Sequence, residues 1–230
     1  MSRRRLFVYG AGGHGKVVAD ILISRGDNKF AGFVDDREQL KGATVLGYQV
    51  HGDGQWLRQE ALRSPVAVAL GVGAADSRQF LFDRCSNWGI EILTLLHPSA
   101  VVSKAAALGR GTAVMAGAVV NAEAKIGVGV IVNSGAVVEH DVEIGDYAHV
   151  APNATMGGSS RLGSFSHLGL GATVLQSIEI GCHTIIGAGA VVTKNFPDHI
   201  VAVGVPARIH RRVQLAGVIS MAASSGRKLC

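Results

Sequence analysis

The sequence predicts two units in series. The first is a small parallel α/β sheet, about half of a doubly wound, Rossmann-like fold, and the second is a parallel β-solenoid built from six-residue units. Three observations carry this reading. From Val102 every sixth residue is aliphatic or Met, running through Leu108, Val114, Val120, Ile126, Val132, Val138, Ile144, Val150, Met156, Leu162, Leu168, Val174, Ile180 and Ile186 to Val192 without an insertion. Over that lies a period of three units, marked by Leu108-Gly109, Ile126-Gly127, Ile144-Gly145, Leu162-Gly163 and Ile180-Gly181. Ahead of the repeat, short apolar runs alternate with helical patterns, which is the signature of a parallel α/β sheet.

In chain order, residues 6–9 read as a strand, followed by the glycine turn Gly10-Ala-Gly12-Gly13-His14-Gly15 and a helix over 16–25 that stops at Gly26. A second strand spans 30–34 and ends in Asp35-Asp36. Residues 45–50 read as extended, 56–62 as helix, 66–71 as a buried strand, 75–88 as helix and 90–96 as a strand leading into His97-Pro98. Pro98 marks the boundary, giving an α/β domain over 1–97, a solenoid domain over 98–208 and a C-terminal tail over 209–230, read as a short helix with a disordered end. In the solenoid each hexad makes one strand and one corner, and three hexads close a coil. The aliphatic residue points inward and a small residue four places on (Thr112, Ala118, Ala124, Ala136 and so forth) fills the corner; glycine is expected to supply the freedom a sharp corner needs. A coil cannot bury its own apolar face, so several must stack, and the stretch holds about five.

Composition narrows the function. Aromatics are 5% of the 230 residues and Gly numbers 31, which suits a thin aliphatic-filled solenoid. The net charge is +5, but the basic residues are scattered apart from Arg3-Arg4-Arg5 and a C-terminal group, with no basic stripe interleaved with aromatics, so a nucleic-acid partner is not expected. Neither a secretion signal nor an apolar run of membrane-spanning length is present, and Cys85, Cys182 and Cys230 form no framework. Free thiols, no membrane association and a cytoplasmic location are the expectations.

Three motifs can carry chemistry. Gly10-x-Gly12-x-x-Gly15, with Asp35 twenty residues beyond, matches a dinucleotide fingerprint and suits any phosphate, because glycines allow close backbone approach and a helix N-terminus offers free N–H groups. With only half a doubly wound sheet available, a nucleotide diphosphate attached to a sugar is preferred to NAD. The second motif is Val138-Glu139-His140-Asp141. Val138 points inward, so His140 and Asp141 lie on the next corner, where Asp141 can orient the imidazole. One coil on, Gly158 can offer a backbone N–H as an oxyanion donor. His149 and His167, one coil apart, form a separate outward column half a coil from His140. The third is Gly204-Val-Pro206-Ala-Arg208, preceded by Lys194, whose cations can hold phosphates. No clustered ligand set points to a metal.

The hexad repeat resembles the hexapeptide-repeat acyltransferases. Together with the segment 8–20 (VYGAGGHGKVVAD), Phe33-Val-Asp-Asp36 and Glu139-His140-Asp141, it resembles the bacterial nucleotide-sugar acetyltransferases of the bacillosamine, perosamine and sialic-acid O-acetylation group. The resemblance implies a left-handed parallel β-helix, a homotrimer with sites between adjacent solenoids, and acetyl-CoA as acyl donor. His140 would be the general base and Asp141 its partner, His149 would lie near the acetyl group, and His14, Gly10, Gly12, Gly13, Asp35 and Asp36 would contact the nucleotide-sugar. To these the residues themselves add Gly158 as oxyanion donor, Gly15 and Asn133 at the nucleotide-sugar, and His167, Gly187, Lys194, Pro206 and Arg208, together with His149, at the coenzyme. The expected reaction is N-acetylation of a 4-amino-deoxy sugar; the alternatives are O-acetylation of a sugar hydroxyl and a non-catalytic solenoid that binds nucleotide-sugar.

Overall fold

A computed structural model describes residues 4–27 and 29–213. The N-terminal unit runs β1 (Arg5–Tyr9), α1 (Gly13–Ser24), β2 (Phe30–Val34), β3 (Thr44–Val45), β4 (Tyr48–Gln49), α2 (Gly54–Arg63), β5 (Val66–Leu70), α3 (Ala75–Asn87) and β6 (Glu91–Ile92). Its main sheet has the order β2-β1-β5-β6, all parallel. Strand β5 is buried at every position, as a central strand covered on both faces must be. The segment 45–50, read as one extended piece, belongs to a two-stranded hairpin turned at Leu46-Gly47, both at positive φ. The strand expected over 90–96 is also two strands, in different sheets: β6 closes the α/β sheet, while Leu95–Leu96 pairs with Ala113–Val114 and is the first rung of the solenoid.

The solenoid is a three-sided prism. Its eight-stranded face stacks Leu95–Leu96, Ala113–Val114, Ile131–Val132, His149–Val150, His167–Leu168, Ile185–Ile186 and Ile200–Val203, and ends in the antiparallel strand Arg208–Arg212. The six-stranded face runs from Val101–Val102 to Val191–Val192, and the five-stranded face from Ala107–Leu108 to Glu179–Ile180. Adjacent rungs up to Val191–Val192 pair with an offset of 18 residues, so Val120 lies under Val138 and Met156; the last parallel strand pair, Ile185↔Val201, has an offset of 16. Every hexad stop from Val114 to Val192 is buried, and Val102 and Leu108 at the open first coil are half-buried. The small residues four places on are buried too, as Thr112, Ala136 and Ser160 illustrate.

The glycines play a different part from the expected one. Gly109, Gly127, Gly145, Gly163 and Gly181 have no left-handed φ; a Cβ at Gly163 would lie 2.5 Å from the Cys182 amide nitrogen and 2.6 Å from the Gly181 carbonyl carbon. They let consecutive coils approach. The left-handed corner residue comes two places later, and Glu123, Asp141, Tyr147, Asn153, Ser159, Phe165, Ser177 and His183 fill that position as well as Gly111, Gly117 and Gly171. The corner tolerates side chains because its backbone is held by the coils on either side: Asp141 N donates to Ala122 O, and Ser159 N to His140 O.

The α/β unit covers the lower part of the eight-stranded face. Ala113, Met115 and Ile131 share one core cluster with Leu6, Val8, Val18 and Leu22. The five-stranded face carries a charge ladder, Lys125–Glu143–Arg161–Glu179, with N···O separations of 3.4–3.5 Å. The six-stranded face instead presents Val101, Val119, Val137, Thr155, Thr173 and Val191 outward, with Val101 64% exposed. Residues 209–212, expected to open a helix, lie in the closing strand; the rest of the expected tail, from residue 214, is outside the described residues. Cys85 is a free buried thiol, whereas Cys182 is disulfide-bonded, so the expectation of free thiols fails at Cys182. Among the described residues no helix is long and apolar enough to cross a membrane.

Candidate active site

At the carboxyl ends of β1, β2 and β5 lies a cleft of about 660 Å³. The glycine turn forms its floor, and its glycines divide by role. Gly10, at φ +113°, and Gly15 serve packing: a Cβ on Gly10 would lie 2.6 Å from Gly71 O, and one on Gly15 would lie 1.9 Å from Gly10 O. Gly12 and Gly13 face the cleft, with nothing near Gly13. Gly12 caps α1 without a side-chain hydrogen bond, so the first-turn N–H groups remain available for an anion.

Asp35 and Asp36 both line the cleft and both are engaged by the protein. Asp35 accepts from the Ala11 amide at 2.8 Å and from Arg37 through Nε and a terminal nitrogen, each at 2.8 Å. Burial alone pushes its carboxyl upward, but these hydrogen bonds and the Arg37 charge hold it below the usual carboxylate range. Asp36 accepts from Tyr9 Oη at 2.8 Å, the Gly54 amide at 2.9 Å and Arg84 at 2.8 Å. Arg37, Arg84 and Phe80, which is 58% exposed on the cleft wall, were not anticipated from the sequence, where each looks like an ordinary helix or loop residue.

His14 lines the same cleft, and its buried Nε2 has no hydrogen-bond partner among the described residues. Burial, with help from the Arg78 charge, depresses its pKa to about 4. His149 is depressed to about 3 by burial first, then by the charges of His167, Arg78 and His14. His14, on the cleft, and His149, on the eight-stranded face, therefore feel one another within one chain, although the cleft itself is lined by the α/β unit alone. Asn133 Nδ2 is 3.0 Å from His149 Nε2, and the His149 and His167 rings meet edge to face at 4.8 Å. The two histidines do stack in register, but as half-buried groups near the α/β unit.

His140 lies elsewhere. It stands on the corner between the six- and five-stranded faces, with its side chain 62% exposed. Its Nδ1 is 2.8 Å from Asp141 Oδ2, an arrangement that places the proton on Nδ1 and leaves Nε2 as a lone-pair acceptor. The ring lies over Gly158: a Cβ there would be 2.6 Å from both Nε2 and Cε1. The corner column continues through Gln176 to Lys194, three rungs above His140 and so roughly 14 Å away. The loop before Arg208 caps the top rung of the six-stranded face: Val191 N donates to Gly204 O and Ala207 N to Val191 O, with Pro206 exposed between them. Gly187 belongs to the opposite corner, beyond Ile185–Ile186. The expected site residues thus lie in separate places on one chain: His14 on the cleft, Asn133, His149 and His167 together on the eight-stranded side, and His140, Asp141, Gly158 and Lys194 along another corner, with Gly187 apart from these.

Comparison with known proteins agrees with this architecture. Residues 5–85 match the PglD N-terminal domain family, and residues 123–158 match the bacterial transferase hexapeptide (six repeats) family. The structure of PerB from Caulobacter crescentus, in complex with CoA and GDP-perosamine, is 38% identical, with a TM-score of 0.84 over 89% of this chain and 96% of that one. The acetyltransferase domain of PglB from Neisseria gonorrhoeae, in complex with acetyl coenzyme A, is 35% identical, with a TM-score of 0.84 over 90% of this chain and all of that one. The UDP-N-acetylbacillosamine N-acetyltransferase of Bacillus subtilis is 39% identical over 116 residues, a match covering 49% of this chain and about half (52%) of that protein. The chain belongs to the hexapeptide-repeat, left-handed β-helix family of nucleotide-sugar acetyltransferases.

Proposed function

We propose that the chain is an acetyl-CoA-dependent N-acetyltransferase acting on the amino group of a nucleotide-linked 4-amino-deoxy sugar, with His140 as general base. The observation that carries this is the exposed His140–Asp141 pair, with no partner on the His140 Nε2 among the described residues and the ring over Gly158. The sugar amine attacks the thioester carbonyl carbon while His140 Nε2 takes a proton from the nitrogen. The Gly158 N–H, which has no acceptor among the described residues, meets the developing oxyanion. Collapse expels the coenzyme's sulfur, which leaves as thiol with the proton from His140. Asp141 stabilises the imidazolium in between. An amine acceptor is favoured over a hydroxyl because the relatives that match are named for N-acetylation or carry perosamine.

The nucleotide-sugar is assigned to the cleft, its diphosphate at Gly12, Gly13 and the start of α1. The coenzyme is assigned to the solenoid, with Lys194 suited to a phosphate at the far end of its arm. The active unit in this reading is a homotrimer closed on the six-stranded faces. That face is β-branched and largely apolar, while the other two are charged or covered. Exposed Leu170 and Leu175 flank it at opposite corners. Around a threefold axis each chain's His140 corner meets the neighbour's Asn133 corner, which joins the two half-sites. A cytoplasmic location belongs to the same reading, since both substrates are activated metabolites of that compartment.

The test is thiol release from acetyl-CoA with UDP-, dTDP- and GDP-linked amino sugars and their hydroxyl counterparts. Release with an amino sugar alone supports N-transfer; release with a hydroxyl sugar alone moves the assignment to O-transfer, and no release with any of them would sink it.

A further inference from the structure

Arg78 is 1% exposed and heads the fully buried side chains by volume. Among the described residues it has no carboxylate partner, and its guanidinium donates to carbonyls alone. Nε reaches Gly129 O at 2.6 Å. One terminal nitrogen reaches Gly73 O at 2.5 Å and, more weakly, Val72 O at 3.5 Å. The other reaches Tyr147 O and, at 3.3 Å, Ala148 O. Val72 and Gly73 are walls of the nucleotide cleft, Gly129 and Tyr147 are left-handed corner residues of successive coils, and Ala148 precedes His149. Burying an uncompensated cation costs several kcal/mol, and an apolar side chain would glue two surfaces together more cheaply. A planar fork with five N–H groups does what an apolar residue cannot: it fixes three backbone segments at defined angles at once.

We propose that Arg78 is a positioning residue that locks the cleft wall at Val72 and Gly73 to the coil presenting His149, so that the cleft and the histidine column are held as one body. Its charge has a second effect in the same place. His149 is faced by Asn133 from the coil below, His167 from the coil above, His14 from α1 and Arg78 from α3. After burial, the Arg78 cation contributes to holding His14, His149 and His167 below the usual histidine range. The column therefore stays uncharged beside the cleft, and its imidazoles present a lone pair as well as an N–H.

The proposal rests on the acetyl-transfer reading only for what the two regions hold, and its test reads the protein itself. Full-length Arg78→Lys and Arg78→Met are compared with wild type by amide hydrogen exchange and by histidine NMR titration. Arg78→Lys keeps a cation but loses the fork. It is expected to speed exchange of the Gly71, Gly129 and Tyr147 amides about tenfold or more, the scale of one lost charge-assisted hydrogen bond, while the histidine midpoints stay low. Arg78→Met is expected to show the same local loosening and to move the His14, His149 and His167 midpoints to higher pH. Unchanged exchange in Arg78→Lys, or an equal rise throughout the chain, would overturn the positioning role; unmoved midpoints in Arg78→Met would overturn the electrostatic one. Should Arg78→Met not fold, Arg78→Gln takes its place in the titration. Absence of turnover in the wild-type protein would count against the acetyl-transfer reading and leave these results standing.

Discussion

His140 is exposed on a corner and supports no core, so His140→Ala is expected to fold as wild type and lose about a hundredfold or more in turnover, the scale of a general base. Unchanged steady-state rates would remove it from the mechanism. Gly158→Ala is a finer probe. Its Cβ would stand 2.6 Å from the His140 ring, so the imidazole must swing away while the coil stays intact. Turnover should fall at least about tenfold with an unaltered melting temperature. The His140–Gly158 relation was legible in the sequence because an 18-residue coil turns separation along the chain into a vertical neighbour. Arg78 was not. It occupies a position on the buried stripe of α3 with Leu81 and Cys85, and an arginine in an apolar stripe was the only signal; its solenoid partners, the carbonyls of Gly129, Tyr147 and Ala148, lie more than 50 residues away, which no local pattern reveals.

The hexad pattern located the solenoid strands but assigned one job to two kinds of glycine. The pattern reports which positions repeat, and it does not report whether a glycine is needed for its φ or for the space above it. The structure separates the two, and substitutions should follow. Gly163→Ala puts a Cβ into the backbone of Gly181 and Cys182, an overpacking of about 1–3 kcal/mol that lowers the melting temperature by roughly 3–10 °C. Gly171→Asn, at φ +63° with nothing within 4 Å, should change it by less than about 2 °C, because Asn tolerates the left-handed region. Equal effects in differential scanning calorimetry would contradict the distinction. The splitting of 90–96 has a comparable cause: β6 and Leu95–Leu96 are each two residues long and only two residues apart, and the choice of partner, β5 or Ala113–Val114, divides them.

At the scale of the molecule, assembly and acid stability can each be tested. Val137→Glu places a charge in the middle of the six-stranded face, and light scattering should then give a smaller particle with native circular dichroism and little activity. A trimeric mass with full activity would show that this face is not the interface. Mixing inactive His140→Ala with an inactive His149 variant under subunit exchange should restore activity if the sites are shared. Burial is the first cause holding His14, His149, His167 and His183 below the ordinary histidine range, with His14 near 4 and His149 near 3. The unfolded chain, titrating near pH 6.5, then binds more protons, so this stability is complete above about pH 6.5 and drains away as pH falls toward the folded values. The urea midpoint should be level above pH 7 and decline steadily down to pH 4, less steeply in His149→Gln; a midpoint equal at pH 7 and pH 5 would exclude neutral buried imidazoles. The closing strand Arg208–Arg212 has a consequence of another kind. A stack of identical rungs has no intrinsic end, and its last rung exposes a row of backbone donors and acceptors able to recruit the first rung of another molecule. Here the closing strand reverses direction and carries exposed Arg208, Arg211 and Arg212, so an approaching first rung, the apolar Leu95–Leu96, meets mismatched polarity and a row of cations it cannot pair. Ending the chain after Val203 would leave a parallel edge open, and slow growth of filaments, visible by electron microscopy, is the expected result.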